Sequence, residues 1–129
     1  MANKKHFDVV GSYLRPENLK KARKDFEEGK ISGDDFEKIK QTEIRTLVEK
    51  QKKAGLHFIT DGEYNRRFWH LDFFWGFEGI GHKRDGGGVQ FAGEVADLDA
   101  TFLTGKLKAK AHPFVKDYKF VKKIGRAHV

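Results

Sequence analysis

Along the 129-residue chain the spacing of apolar positions switches between a strand-like and a helix-like period, and each switch marks an element. His6 to Val10 is a short β-type run, closed by Gly11-Ser12. Arg15-Pro16 opens a helix, with proline expected at the first helical position, where its missing N–H costs no bond. Leu19, Ala22 and Phe26 carry this helix to Gly29, a left-handed stop. Ser32, with Asp35 three residues on, signals the cap of a second, longer helix. Its apolar positions Phe36, Ile39, Ile44, Leu47, Val48 and Ala54 fall on about half of the helical wheel. Gly55 ends it, and Leu56 to Thr60 reads as a buried strand running into Asp61-Gly62-Glu63.

An aromatic segment follows, Phe68, Trp69, Phe73, Phe74, Trp75 and Phe77, read as a short helix and loop. Gly79 to Gly93 holds six glycines and reads as a long loop or hairpin; Thr101 to Ala111 is a strand region. His112-Pro113 leads into a last helix carrying Phe114, Val115, Tyr118 and Val121. The order strand, helix, helix, strand, with crossovers long enough for parallel pairing, predicts an α/β fold. A (β/α)8 barrel needs on the order of 250 residues, so this chain would be about a third of one. The alternative is half of an open sheet. Two or three parallel strands alone leave faces and edges uncovered, which favours an incomplete barrel.

Charge changes the picture only at one end. The formal charge is +7, yet Met1 to Gly105 carries 18 basic and 18 acidic residues and is neutral. The excess lies in Lys106 to Val129, with 8 basic residues against Asp117. Such a lysine-rich run reads as a solvated strand edge and helix face rather than a nucleic-acid footprint, which would add a reading motif. No apolar run approaches the roughly 18 residues of a spanning helix, and the N-terminus has no apolar signal core, so a cytoplasmic protein without membrane contact is expected. There is no cysteine, hence no disulfide and no thiolate metal ligand in this stretch. Residues 124–129 read as foreign: ATC GGA AGA GCA CAC GTC encodes them and resembles a short-read sequencing adapter. The native portion is then 1–123.

Two turns could carry chemistry. Val10-Gly11-Ser12 follows a strand, where α/β folds place their sites, and Gly11 and Ser12 can aim N–H groups and a hydroxyl at a carboxylate. Asp61-Gly62-Glu63 also ends a strand; by alternation His57, Ile59, Asp61 and Glu63 would share a face, with Glu63 able to accept from an ammonium group. Each turn alone is equally readable as a plain turn. One histidine with two carboxylates is a low-specificity metal set, and Arg66 and Arg67 read as ligand contacts or as surface ion pairs.

Together the motifs are more specific. Val-Gly-Ser-Tyr-Leu-Arg-Pro (Val10 to Pro16) precedes a Leu-Lys-Lys-Ala-Arg helix (Leu19 to Arg23). Glu-Ile-Arg (Glu43 to Arg45), Val48, Gln51 and Gly55-Leu56 then lead to Asp61-Gly62-Glu63. This series resembles the start of the catalytic barrel of cobalamin-independent methionine synthase, and more closely its short single-barrel relatives, over roughly Phe7 to Lys123. The resemblance implies a (β/α)8 barrel that moves a methyl group from 5-methyltetrahydrofolate, usually polyglutamylated, to the thiol of homocysteine. It implies that Val10, Gly11, Ser12 and Glu63 hold the amino-acid end of homocysteine, with Arg15 and Asp61 as candidate pocket residues.

The family's chemistry uses zinc to turn the thiol into a thiolate, through His, Cys, Glu and Cys ligands on later strands. Those ligands are not in this chain, so the resemblance implies a substrate half-site and an inert polypeptide, with no obligate protein partner. Full-length synthases commonly carry His-Gly-Glu where this chain has Asp61-Gly62-Glu63, which leaves the acceptor and donor open. Two other readings stand beside this one. A uroporphyrinogen-decarboxylase-like or corrinoid-linked methyltransferase barrel shares the architecture, and a small basic nucleic-acid module would use the lysine-rich tail.

Overall fold

The computed structural model describes residues 9–68, 70–91 and 94–125. The described elements run α1 (Glu17–Glu27), α2 (Gly33–Lys53), α3 (Leu71–Trp75), β1 (Glu78–Phe91), β2 (Glu94–Lys108) and α4 (Pro113–Ile124). The chain divides into two compact units: residues 1–69 with 116–129, and residues 70–115. Among the described residues no helix is long and apolar enough to cross a membrane.

The first unit is helical, and its local signals act as expected. Pro16 is the N-cap of α1 rather than its first residue, because its ψ of 148° is still extended. The helix closes at Gly29: Gly29 N–H donates to Phe26 O and Lys30 N–H to Asp25 O, the paired C-terminal bonds of a Schellman motif. Ser32 caps α2, its hydroxyl accepting from Asp35 N–H at 3.1 Å. The same closure recurs after α2, where Gly55 N–H donates to Lys52 O and Leu56 N–H to Gln51 O.

Leu19, Ala22, Phe36, Ile44, Leu47, Val48, Ile59, Tyr64 and Val121 form one buried cluster. The α2 stripe differs from the expected one at its end. Ala54 is exposed at the C-cap, and Gln51, 2% exposed, takes the inward position instead. Phe26 stacks on Phe36 at 5.2 Å, and the Arg45 guanidinium lies 5.0 Å from the Phe120 ring.

The expected parallel strands are the main correction. His6, Phe7 and Asp8 lie outside the described residues, and Val9 and Val10 have no ladder. Leu56 to Thr60 is not a strand either, nor wholly buried: Ile59 is 3% exposed, but Phe58 is 39% exposed. A strand is defined by its neighbour, and among the described residues no backbone bond joins Val9 and Val10 to Leu56–Thr60; the nearest bond, Tyr13 N–H to Gly62 O at 3.1 Å, lies just past both. The sheet that is described is antiparallel and two-stranded.

That hairpin dominates the second unit. The glycine-rich stretch expected as loop or hairpin is its first arm, and the strand expected from Thr101 begins earlier, at Glu94. Its register pairs Ile80 with Leu103, Gly81 with Phe102 and His82 with Thr101, with irregularities at Glu78/Ile80 and Asp85/Val89. Gly79 (φ +84°) sits at the first, where a Cβ would lie 2.6 Å from Lys106 O. At the hairpin's base Trp75 stacks on His82 at 4.3 Å and donates Nε1–H to Thr101 Oγ1 at 3.0 Å. His112 sits among Phe73, Phe77 and Phe114, with Nε2 2.8 Å from Phe73 O and Nδ1 accepting from Phe114 N–H. The aromatic segment is thus the short helix expected, Leu71–Trp75, while Trp69 lies outside the described residues.

Candidate active-site half

The two candidate turns meet in the first unit. Val10, Gly11 and Ser12 are exposed, with Val10 at 94%. Gly11 takes φ +82°, and neither Gly11 nor Ser12 N–H has a chain acceptor among the described residues. The next residue, Tyr13, donates its N–H to Gly62 O, and two residues further Arg15 donates Nη2 to Glu63 O and Arg66 O, both at 3.0 Å. Tyr64 adds a third tie, its hydroxyl donating to Leu14 O at 2.9 Å. Burial pushes the Tyr64 phenol above its ordinary range, so it stays a donor at neutral pH. Ser12 and Glu63 therefore flank one backbone bridge, each a single residue from the bonded pair.

The acidic turn is not the alternating strand end expected. Gly62 and Glu63 both adopt left-handed backbone, φ +65° and +60°, so the two-residue alternation stops at Asp61. At Gly62 the reason is steric as well: a Cβ would collide with Leu47 Cδ2 and lie 3.1 Å from Tyr13 Cδ2. Glu63 is the sole non-glycine residue with positive φ among the described residues. Such a conformation costs of order 1–3 kcal/mol and persists only where its surroundings hold it.

Of the holding groups, sequence reasoning missed Thr60 and Asn65, and it named Gln51 and Asp61 without this role. Gln51 presents its amide to the backbone of Thr60 as a neighbouring strand would, accepting from Thr60 N–H at 3.0 Å and donating to Thr60 O at 2.8 Å. Thr60 Oγ1 accepts from Gly62 N–H at 3.1 Å. Asp61 Oδ1 accepts from Glu63 N–H at 2.9 Å, and Asp61 Oδ2 accepts from the Asn65 amide at 2.8 Å. A glutamine on an otherwise apolar helix stripe was the readable signal for the first of these contacts.

The Glu63 side chain is 20% exposed, and its Oε1 lies 3.8 Å from Arg66 Nη1. Arg67 pairs with Glu27 at 3.3 Å and lies over the Phe68 ring at 5.3 Å, so the ion-pair reading of this arginine holds. His57 is exposed. Among the described residues no group of three or more His, Cys, Asp or Glu side chains could hold a metal. With no cysteine and both Asp61 oxygens already hydrogen-bonded, the donors present do not fit the thiolate zinc centre the resemblance implies.

By class this is a protein of mixed helices and strands with a small antiparallel sheet, in which two turns converge, with backbone donors on one and a carboxylate on the other. Comparison with known proteins narrows the class. The family model for the catalytic domain of cobalamin-independent synthase matches residues 7–80. The Bacillus subtilis uncharacterized protein YxjG is 37% identical over 117 residues, 91% of this chain and 31% of that protein. The methionine synthase of Sulfolobus acidocaldarius is 29% identical over 120 residues, 90% of this chain and 33% of that protein.

Among solved structures, a Listeria monocytogenes protein whose name places it with vitamin-B12 independent methionine synthases superposes with a TM-score of 0.71 at 37% identity. That match covers 95% of this chain and 33% of the other. A B12-independent methionine synthase from Shewanella sp. W3-18-1, solved with selenomethionine, shares the fold at a TM-score of 0.57 and 23% identity, over 76% of this chain and 28% of the other. The chain belongs to the cobalamin-independent methionine synthase family, and it spans about a third of the length of these relatives.

Proposed function

We propose that this chain is the N-terminal third of a (β/α)8 methyltransferase barrel. Its two turns form the part that grips the amino-acid end of homocysteine. Gly11 and Ser12 donate N–H groups, and Ser12 its hydroxyl, to the α-carboxylate; Val10 flanks them. Glu63 accepts from the α-ammonium, exchanging its 3.8 Å contact with Arg66 for the ligand. Each charge-assisted bond contributes about 1.5–3 kcal/mol and serves to orient the thiol rather than to activate it. Arg15 acts from behind, through the carbonyls of Glu63 and Arg66.

The observation that supports this reading is the Tyr13 to Gly62 backbone bond in a chain of this family, because it sets donors and carboxylate side by side. In this reading the methyl donor is 5-methyltetrahydrofolate, as its polyglutamate, and zinc is held by residues outside this chain. The protein is cytoplasmic, native through 123, and the last six residues are adapter-derived. The name of a Buchnera aphidicola relative, 5-methyltetrahydropteroyltriglutamate–homocysteine methyltransferase, supports the donor and acceptor, at 32% identity over 58 residues. Family membership favours methyl transfer over the decarboxylase-like and nucleic-acid readings.

The test is to recover the native gene and compare two proteins with zinc, homocysteine and methyl-folate. The polypeptide extended to the relatives' length should form methionine, whereas the 129-residue chain should form none. An extended protein that leaves homocysteine unmethylated contradicts the proposal.

A further inference from the structure

Asp61 was a candidate pocket residue, yet neither of its oxygens is unoccupied. Oδ1 accepts from Glu63 N–H at 2.9 Å and Oδ2 from Asn65 Nδ2 at 2.8 Å, so both bonds stay within the turn. The acceptor two residues before the N–H it binds forms an Asx turn, the local geometry that aspartate and asparagine supply and alanine does not. Upstream, the Thr60 hydroxyl receives Gly62 N–H, and Thr60 is itself fixed at N–H and C=O by the buried Gln51 amide. The consecutive left-handed residues thus have their N–H groups held by the side chains of Thr60 and Asp61. Their C=O groups are held by Tyr13 N–H and Arg15 Nη2.

From this chain of bonds we infer that Asp61 is a positioning residue. With Gln51 and Thr60 behind it, it fixes the left-handed backbone of Glu63 and so sets where that carboxylate stands. The inference deepens the proposed function, since it assigns the source of the Glu63 geometry on which that reading rests. Charge is not what Asp61 contributes; its acceptor at Oδ1 is. Asparagine keeps that acceptor, and Asn65 can turn its amide to present oxygen to the new NH2. Alanine removes both contacts.

Two readouts on the 15N-labelled chain separate the possibilities. The first is amide exchange at Glu63, which needs no ligand; the second is titration with homocysteine. D61N should exchange within about twofold of the original chain, and D61A about tenfold faster, the loss expected for one hydrogen bond. Homocysteine affinity should follow the same order, with D61N retained and D61A weakened about tenfold. If D61A fails to fold, T60V takes its place, and Gly62 exchange should accelerate about tenfold. Unchanged exchange in D61A or T60V overturns the inference, as does D61N behaving like D61A. If exchange follows the expected order but homocysteine binds none of the proteins, the positioning role stands and the homocysteine reading fails.

Discussion

The two units of this chain are stabilised in different ways. In the helical unit nine hydrophobic side chains are buried among the described residues, and they come from α1, α2, α4 and the segment between Ile59 and Tyr64. In the hairpin unit, among the residues outside 84–98, no hydrophobic side chain is buried; Phe102, Leu103 and Leu107 are 48%, 71% and 55% exposed. Outside residues 84–98, the contacts of the hairpin are its backbone ladder and a few ring contacts at its base. An isolated two-stranded ribbon is marginal in water, whereas a helix pair sealed by a core is not. The contrast teaches where side-chain substitutions will matter, and the candidate turns lie in the unit with the core.

The largest expected effect breaks the comparison directly. Ile44→Ala empties a fully buried position and should cost about 2–5 kcal/mol. Leu103→Ala, on the hairpin, should cost no more than about 0.5 kcal/mol. Thermal unfolding of both variants checks this; equal losses would mean that the hairpin's apolar side chains carry as much stability as the helical core.

Glycines sharpen the same contrast. Gly62→Ala would place a Cβ against Leu47 and Tyr13 in a left-handed conformation and should cost about 2–4 kcal/mol, with the candidate turn displaced. At Gly81 a Cβ meets the ends of the Thr104 and Phe102 side chains at 2.8 and 3.0 Å, and Phe102 is half exposed and can swing away. Gly81→Ala should therefore cost about 1 kcal/mol or less. Chemical denaturation of the two variants gives the comparison.

A smaller effect is pH-dependent and confined to the helical unit. Burial pushes the Asp117 carboxyl up to about 6 from its usual 3.8; Lys40 opposes the rise, and Asp61 and Glu37 add to it. Since the folded value is the higher one, the folded state keeps a proton that the unfolded chain releases. Stability conferred on the protonated form is complete below about pH 4 and is lost as pH rises through about 6. Asp117→Asn should stabilise the fold at pH 7.5 by about 1 kcal/mol once partial solvent screening is allowed for, seen as a higher unfolding temperature, and change nothing at pH 3.5. Melting curves at the two pH values test it; the same gain at both would assign the effect to something other than this carboxyl.

The contrast also explains what could be read in advance. The helices were legible because their signals are local: the Ser32 cap, the Gly29 and Gly55 stops, and an apolar stripe whose period needs no knowledge of partners. The strands were not, because a ladder depends on residues far along the chain. Leu56 to Thr60 has a strand's composition, but its hydrogen-bonding neighbour here is the side chain of Gln51. The glycines from Gly79 onward left the first hairpin arm readable as loop or hairpin alike; close approach to Lys106 requires one of them, and Phe102 fills the space beside another.

In the candidate site the residue types at both turns were legible from their motifs. The Thr60 and Asp61 bonds and the positive φ of Glu63 were not, because conformation at a strained turn is set by its tertiary ties.

The most direct test of the account is a titration of the 15N-labelled chain with homocysteine, following every backbone amide. Shifts at Gly11, Ser12 and Glu63 that saturate together with one dissociation constant, and that vanish in Glu63→Gln, are the predicted result. Saturating shifts that leave Ser12 or Glu63 unmoved, or that survive Glu63→Gln unaltered, would contradict it.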